Sequence, residues 1–595
     1  VTRRLLAGLL GAVSLLGGVA GCGIPERTEV RVEGTGPVAT GGATSAGRVE
    51  PPSRTAADSP EQFVRNFLAA PAGEPDRAYD RVRQYIDRGS HSLLQEKQGS
   101  EVVLTVVRLT KQPEITTNLD DIDVTISVQQ VGRLRADGVL APPEASETSY
   151  RFRLRPTLEA GEEIDWYVVN PPNVPLLSVD ALATYYESRT VYFWSSDRQR
   201  LVPDQRYLPL AVPEDRQVSE VVKWLVAGPS EWLGRAASPL PDRTDLINNA
   251  TRTGNRWEVN IEMPGVDRTR VEQFGTQLAW SLRGVYGGLD LKVRNQQDLV
   301  INDLEQRRQT HRIYRVDDPP RRFCVYDGAI HALAYPDETP GDVPVGAGAN
   351  SDIVSAAVSR AGTATHAALV VEDPNGRRQL AVGLGQGQVS ILKRSTGRGW
   401  AAMSRPVWLR SADQREPVGL VVADGRLLRF DGGAQPAPVT LGLTGPVTAV
   451  AASLDGHRLA VVVAGVPYVV AVNLDGGVLA VGPARRLPVS LAQLTAVDWY
   501  GENHLIVAGS AAGRPGLYEM SVDGALELPL EQDLGAPATH LTSYPANPFS
   551  SFGLAMVEAN EVAYRTSPFD RIPQDLVQDV DGARPGNPTA PFFVY

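Results

Sequence analysis

The second half of the chain repeats itself at a fixed step, and this restricts the fold more than any other feature. Val447-Thr448-Ala449-Val450 returns as Leu494-Thr495-Ala496-Val497, 47 positions later. Ser359-Arg360-Ala361-Gly362 returns as Ser453-Leu454-Asp455-Gly456 after 94 positions, two such steps. A period near 47 lies in the range of propeller blades, each a four-stranded sheet. From about Gln306 to Tyr595 the helical period is lost, and short apolar runs alternate with Gly. Asp424-Gly425, Asp455-Gly456, Asp475-Gly476 and Asp523-Gly524 suit tight hairpins. Residues 306–595 at this step make about six blades. A pair of all-β sandwiches is the alternative, because no Trp-Asp signature repeats.

Two mixed segments precede this region. In the first, residues 58–185, Ser59-Pro60-Glu61 supplies an N-cap, a first-turn proline and an acid, and Phe63, Phe67 and Leu68 follow at helical spacing. A second short helix is expected around Tyr79 to Ile86. The period then changes to two in EVVLTVVRL, IDVTISVQQV, TSYRFRLRP and IDWYVV, which predicts an antiparallel meander packed on helices, as in cystatin-like or nuclear-transport-factor-like folds. In the second segment, residues 186–305, strands TVYFW and RYLPLAV lead into a helix over Asp215 to Ala227. Val218, Val221, Val222, Leu225 and Val226 share one face of it, and Gly228-Pro229 stops it. LINNATRT and RWEVNIEM follow, joined at Gly254-Asn255, then a helix from Asp267 and the strand LDLKV.

The N-terminus sets the compartment. Arg3 and Arg4 precede an apolar run from Leu5 to Ala20 that ends in small residues, the layout of a secretory signal over residues 1–21. Its length and glycines disfavour a permanent span. Residues 22–57 are rich in Gly, Thr, Ala, Ser and Pro and lack hydrophobic periodicity, so they read as a flexible tether spanning roughly 30 Å.

The net charge of −11 falls to about −13 without Arg3 and Arg4, and Lys and Arg are not clustered, which argues against nucleic-acid binding. With only Cys22 and Cys324, neither a disulfide framework nor a cysteine zinc site is expected. Catalytic motifs fail in turn. There is no Gly-x-Ser-x-Gly elbow, phosphate loop or His-Glu-x-x-His. Ser390 and Lys393 match Ser-x-x-Lys, but QVSILKRS alternates as a strand and would put them on opposite faces. Gly383-Leu384-Gly385-Gln386-Gly387 lacks a surrounding βαβ unit and reads as a turn. His91, His311, His331, His366, His457, His504 and His540 are scattered without ligand spacing, and Asp317-Asp318 reads as a solvated turn. Trp400, Trp408 and Trp499 are explained equally by packing between blades or by a cleft. No catalytic, cofactor or metal residue is assigned.

Val19-Ala20-Gly21-Cys22 resembles the lipobox of bacterial lipoproteins. That resemblance implies cleavage between Gly21 and Cys22 and lipid on the Cys22 sulfur, which would hold the chain at the membrane. Val222 to Pro229, Pro241 to Leu246, the Gly254 hairpin and Val259-Asn260-Ile261 resemble the GerMN domain of sporulation and germination proteins. The layout is therefore multidomain, with two small α+β domains, the second GerMN-like, followed by a β-propeller. With VAGCG at 19–23 and WLVAGP at 224–229, it resembles the LpqB lipoproteins of actinobacteria. The resemblance implies an accessory protein of the extracytoplasmic membrane face that binds the extracellular part of the sensor histidine kinase MtrB and modulates signalling to MtrA. Peptidoglycan is a candidate further partner in the envelope. The alternative is a glycan-binding protein or a propeller hydrolase, whose two carboxylates need no local motif.

Overall fold

In the computed structural model, Ser59 Oγ accepts a hydrogen bond from Gln62 N at 3.2 Å, and Pro60 opens α1 (Pro60–Ala69) as the capping signature requires. Residues 50–95, 102–117, 121–157, 165–314, 320–409, 417–474, 477–548 and 553–594 are described. Phe63, Phe67 and Leu68 are buried and pack, with Tyr85 just beyond α2 (Ala78–Arg83), on one sheet. Its main path runs β6 (Asp165–Val168), β5 (Glu147–Thr157), β3 (Ile122–Leu134), β1 (Leu104–Leu109) and β7 (Leu176–Ser178); β2 (Glu114–Thr117) and β4 (Leu140–Ala141) also pair with β3. The four expected strands, β1, β3, β5 and β6, pair antiparallel in chain order, and β7, which the sequence did not single out, adds parallel to β1. Pro171, Pro172 and Pro175 prevent a tight return, and the chain crosses to the far edge instead.

After α3 (Val179–Tyr185), β8 (Tyr186–Trp194) and β9 (Leu201–Pro209) form a hairpin. The second domain continues through α4 (Glu214–Ala227), β10 (Asp245–Thr253), β11 (Arg256–Glu262), α5 (Arg268–Ser281), β12 (Gly288–Val293) and β13 (Gln296–Ile301). Strand order follows chain order, and α5 links the parallel pair β11 and β12. Val218, Val221, Val222 and Leu225 bury one face of α4 against this core, and Val226 is half-buried beside them. Helix does not end at Gln306 as the periodicity suggested. In α6 (Leu304–Thr310), Leu304 enters the same core, while Arg308 Nη1 donates to the carbonyl oxygens of Ala279 at 2.8 Å and Leu282 at 3.4 Å, satisfying the end of α5. So short a helix, buried partly through an arginine, has no readable apolar period.

Six blades follow, and their inner strands form a ring: Thr589–Val594, Ile353–Ala361, Val407–Leu409, Val447–Ala452, Ala492–Trp499 and Ala538–Tyr544 for blades one to six. Blade one joins both ends of the domain, since Thr589–Val594 pairs with Arg321–Tyr326. The ring therefore closes through strand pairing rather than through loops. The VTAV and LTAV echoes lie in the inner strands of blades four and five, and the 359 echo closes the inner strand of blade two while the 453 echo is the turn directly after that of blade four. Asp424-Gly425 has φ of 45° and 75°, as its hairpin demands; Asp475-Gly476 lies outside the described residues. The glycine-rich run is corrected. Gly383 and Gly385 lie within the strand Arg378–Gln386, and a Cβ on either would come within 2.5 Å of a neighbouring backbone oxygen, leaving only Gly387, at φ 76°, for the turn.

Candidate binding sites at the domain junction and the propeller axis

The residues singled out in the sequence are not brought together. Gly21, Cys22 and Asp317-Asp318 lie outside the described residues. Lys393 starts a two-residue strand, Lys393–Arg394, which Ser390 precedes, so QVSILKRS is not a continuous strand; the connection back to the blade is too short to hold one. Among the described residues, no three His, Cys, Asp or Glu side chains are placed to hold a metal ion, and no helix is long and apolar enough to cross a membrane. Trp408 packs edge-on against Phe430 and donates to Ala357 O at 3.1 Å, while Trp499 is buried with Arg458 4.5 Å above its ring. Both serve packing.

What the fold does bring together is a set of charges set within apolar strands. Every residue of β9 is buried, including Asp204 and Arg206. Arg206 Nη2 donates to Asp204 Oδ2 and to Gly228 O, both at 2.8 Å. Asp204 also accepts from Ser230 N and Oγ at 2.8 Å. The Gly228-Pro229 stop after α4 is thus held by a buried ion pair, and Gly228, at φ 91° and ψ 177°, takes a conformation open essentially to glycine alone.

Further buried charges bind the three domains into one compact unit, Gly47–Tyr595. Arg108, in β1, donates to the carbonyl oxygens of Gly524 at 2.8 Å, Ala525 at 2.9 Å and Pro488 at 3.0 Å, and pairs with Glu527 at 3.2 Å. Gln129 Nε2 donates to Val489 O at 3.0 Å. Glu502, in blade five, accepts from Tyr192 Oη at 2.8 Å and Arg283 Nη1 at 3.0 Å of the second domain and from Tyr314 Oη at 3.2 Å in the connection after α6. Burial raises the Glu502 carboxyl above its ordinary range, although Arg283 and the tyrosine hydroxyls pull it down. No local motif marks these residues. Their signal is a charge inside an apolar run, as in LTVVRL and VPDQRYLP, which must find a partner when buried.

Around these contacts an open cleft of about 830 Å³ has walls from all three domains: Pro142 and Pro143 from the first, Pro229 and Trp232 from the second, Arg486 and Pro488 from the propeller. Prolines give it stiff walls and remove backbone donors. The propeller axis is different. Arg405 Nη2 donates to Asp498 Oδ2 at 2.9 Å beside a cavity of only about 40 Å³. Asp498 also accepts from Trp499 N and Ser543 N, each at 2.9 Å, so both its oxygens are engaged. Burial holds its carboxyl above the ordinary range despite Arg405. At one end the axis widens to about 460 Å³ around Thr448, Thr495 and Thr539.

Three known families match in chain order. Residues 53–182 match the N-terminal domain of lipoprotein LpqB, residues 190–293 the sporulation and spore germination family Germane, and residues 338–548 the LpqB β-propeller domain. Proteins named lipoprotein LpqB are similar over nearly the whole chain. That of Mycobacterium paratuberculosis is 25% identical over 92% of this chain and 93% of its own, and that of Mycolicibacterium smegmatis is 26% identical over 91% and 93%. That of Streptomyces coelicolor is 25% identical over 86% of each. Among solved structures, the nidogen/laminin complex gives a TM-score of 0.30 at 7% identity, covering 46% of this chain and 98% of that one. The tandem GerMN domains of GerM from Bacillus subtilis give 0.16 at 14%, covering 20% and 42%.

Proposed function

The chain belongs to the LpqB lipoprotein family, and we propose that it is a non-catalytic envelope protein, lipid-anchored through Cys22 at the extracytoplasmic face of the membrane, that binds the extracellular part of an MtrB-type sensor histidine kinase. The relatives carry the names of lipoproteins, not of enzymes. The observation that carries the binding reading is the cleft. Three domains tied by buried charges surround a stiff-walled opening, whereas Asp498, the carboxylate among the described residues at the axial constriction, has both oxygens engaged.

Anchoring strengthens such a contact. A tether that confines the protein to the kinase's membrane raises its effective concentration, so a weak contact is occupied. Modulation of the regulator then requires unequal affinity for two kinase states, since equal affinity shifts nothing. The test is capture of the kinase ectodomain by the full lipoprotein in nanodiscs, with regulator phosphorylation followed in a deletion strain. Binding, weakened by Arg486→Glu on the exposed cleft rim, is the expected result. Absence of binding together with unchanged phosphorylation would refute the proposal.

A further inference from the structure

The second domain docks on turns that follow the inner strands, at Glu502 and Asn503, and leaves open the end of the axis where those strands begin. We propose that this open end is a binding site for an uncharged, polyhydroxylated ligand, the end of a glycan chain or a free oligosaccharide. The inference is independent of the kinase reading.

Blades three to six all contribute to the 460 Å³ opening. Thr448, Thr495 and Thr539 line it from the beginnings of the inner strands of blades four, five and six, so the blade repeat itself places three hydroxyls around one mouth. Their hydrogen-bonding capacity is only partly used. Among the described residues Thr495 Oγ1 has no partner, Thr448 Oγ1 reaches Val462 O only at 3.4 Å, and Thr539 Oγ1 lies 3.1 Å from Glu558 Oε1 and 3.3 Å from Glu558 O. A polar group left unmatched in this way calls for an explanation, and a ligand hydroxyl supplies one.

Charge selects the ligand class. Arg405 lines the opening and has its charge matched by Asp498, and among the described residues its side chain donates to no other protein group. His540 Nε2 lies 2.9 Å from Pro591 O, which can only accept, so Nε2 carries the proton and Nδ1 is left as an acceptor. Burial, with Arg405 beside it, pushes the His540 ring down to about 3, so it adds no positive charge. Asp424 adds a carboxylate, one oxygen of which accepts from Ala402 N at 2.9 Å. Among the described residues that line the opening, an anion finds no unmatched cation. Hydroxyls, which donate and accept at once, fit arginine donors, an imidazole acceptor, a carboxylate and three threonines.

The test uses the full-length protein in detergent micelles, an array of neutral oligosaccharides, and isolated cell-wall sacculi. Binding of at least one array member is expected, weakened tenfold or more by Thr448→Val and by Thr495→Val with thermal unfolding unchanged, and constant between pH 5 and 8. Sedimentation with sacculi, competed by the same oligosaccharide, identifies the ligand as a wall glycan end; array binding without sedimentation identifies a free oligosaccharide. Failure to bind any array member, binding indifferent to both threonine variants, or selective binding of sodium acetate in its place would overturn the proposal.

Discussion

Arg485, in blade four, donates its Nη2 to the carbonyl oxygen of Leu140, 2.7 Å away at the edge of the first domain's sheet. Both residues come from unremarkable local sequence, 345 positions apart, yet their contact lies at the cleft to which all three domains contribute. The junction is built of such pairs. Its rigidity should therefore depend on a few buried side chains rather than on linker length.

Arg108→Met tests this. The variant keeps the apolar stem but leaves Glu527, nearly buried, with only the Ser490 donors and no cation, and three carbonyl oxygens without the arginine donor. Breaking a buried pair from one side costs about 3–5 kcal/mol. Calorimetry should show the first domain unfolding ahead of the propeller, with faster proteolysis between them. A single transition at the original temperature would contradict it.

Glu502→Gln should change the pH dependence of stability in a defined direction. Because burial raises the carboxyl above its reference of 4.5, the folded state holds that proton more tightly than the unfolded chain. The stabilisation is complete below pH 4.5 and is lost as pH rises through the folded value. Wild-type protein should thus lose stability relative to the glutamine variant on going upward from pH 4.5, measured by denaturant titration. The opposite slope would show that Arg283 outweighs burial.

Gly228→Ala should destabilise the second domain by about 1–3 kcal/mol, because alanine rarely adopts its φ of 91° and ψ of 177°. Space is not the obstacle, since a Cβ would meet only Pro239 at 3.7 Å. The midpoint of chemical unfolding measures this. Unchanged stability would mean that the turn relaxes without disturbing Asp204.

Cys22→Ser should release the protein from membranes or leave an unprocessed precursor, since lipid attachment requires the thiol. Fractionation and intact mass measure it. Normal cleavage with full membrane retention would point to another anchor.

Local sequence by itself determined the elements and their order. The Ser59 cap, the apolar face of α4 stopped at Gly228-Pro229, and the repeating inner strands follow from propensities and periods that act over a few residues. Their boundaries were less legible where burial ran through polar groups, as at Arg308 in α6, and where a backbone approach required glycine inside a strand, as at Gly383. Tertiary structure alone decided what lies beside what. Thr589–Val594 completes blade one with Arg321–Tyr326, Arg108 meets Gly524, and Arg405 meets Asp498 across blades. Such pairings leave no period, because they are selected by the desolvation of charges that must be matched once the cores have packed, and that condition exists only in three dimensions.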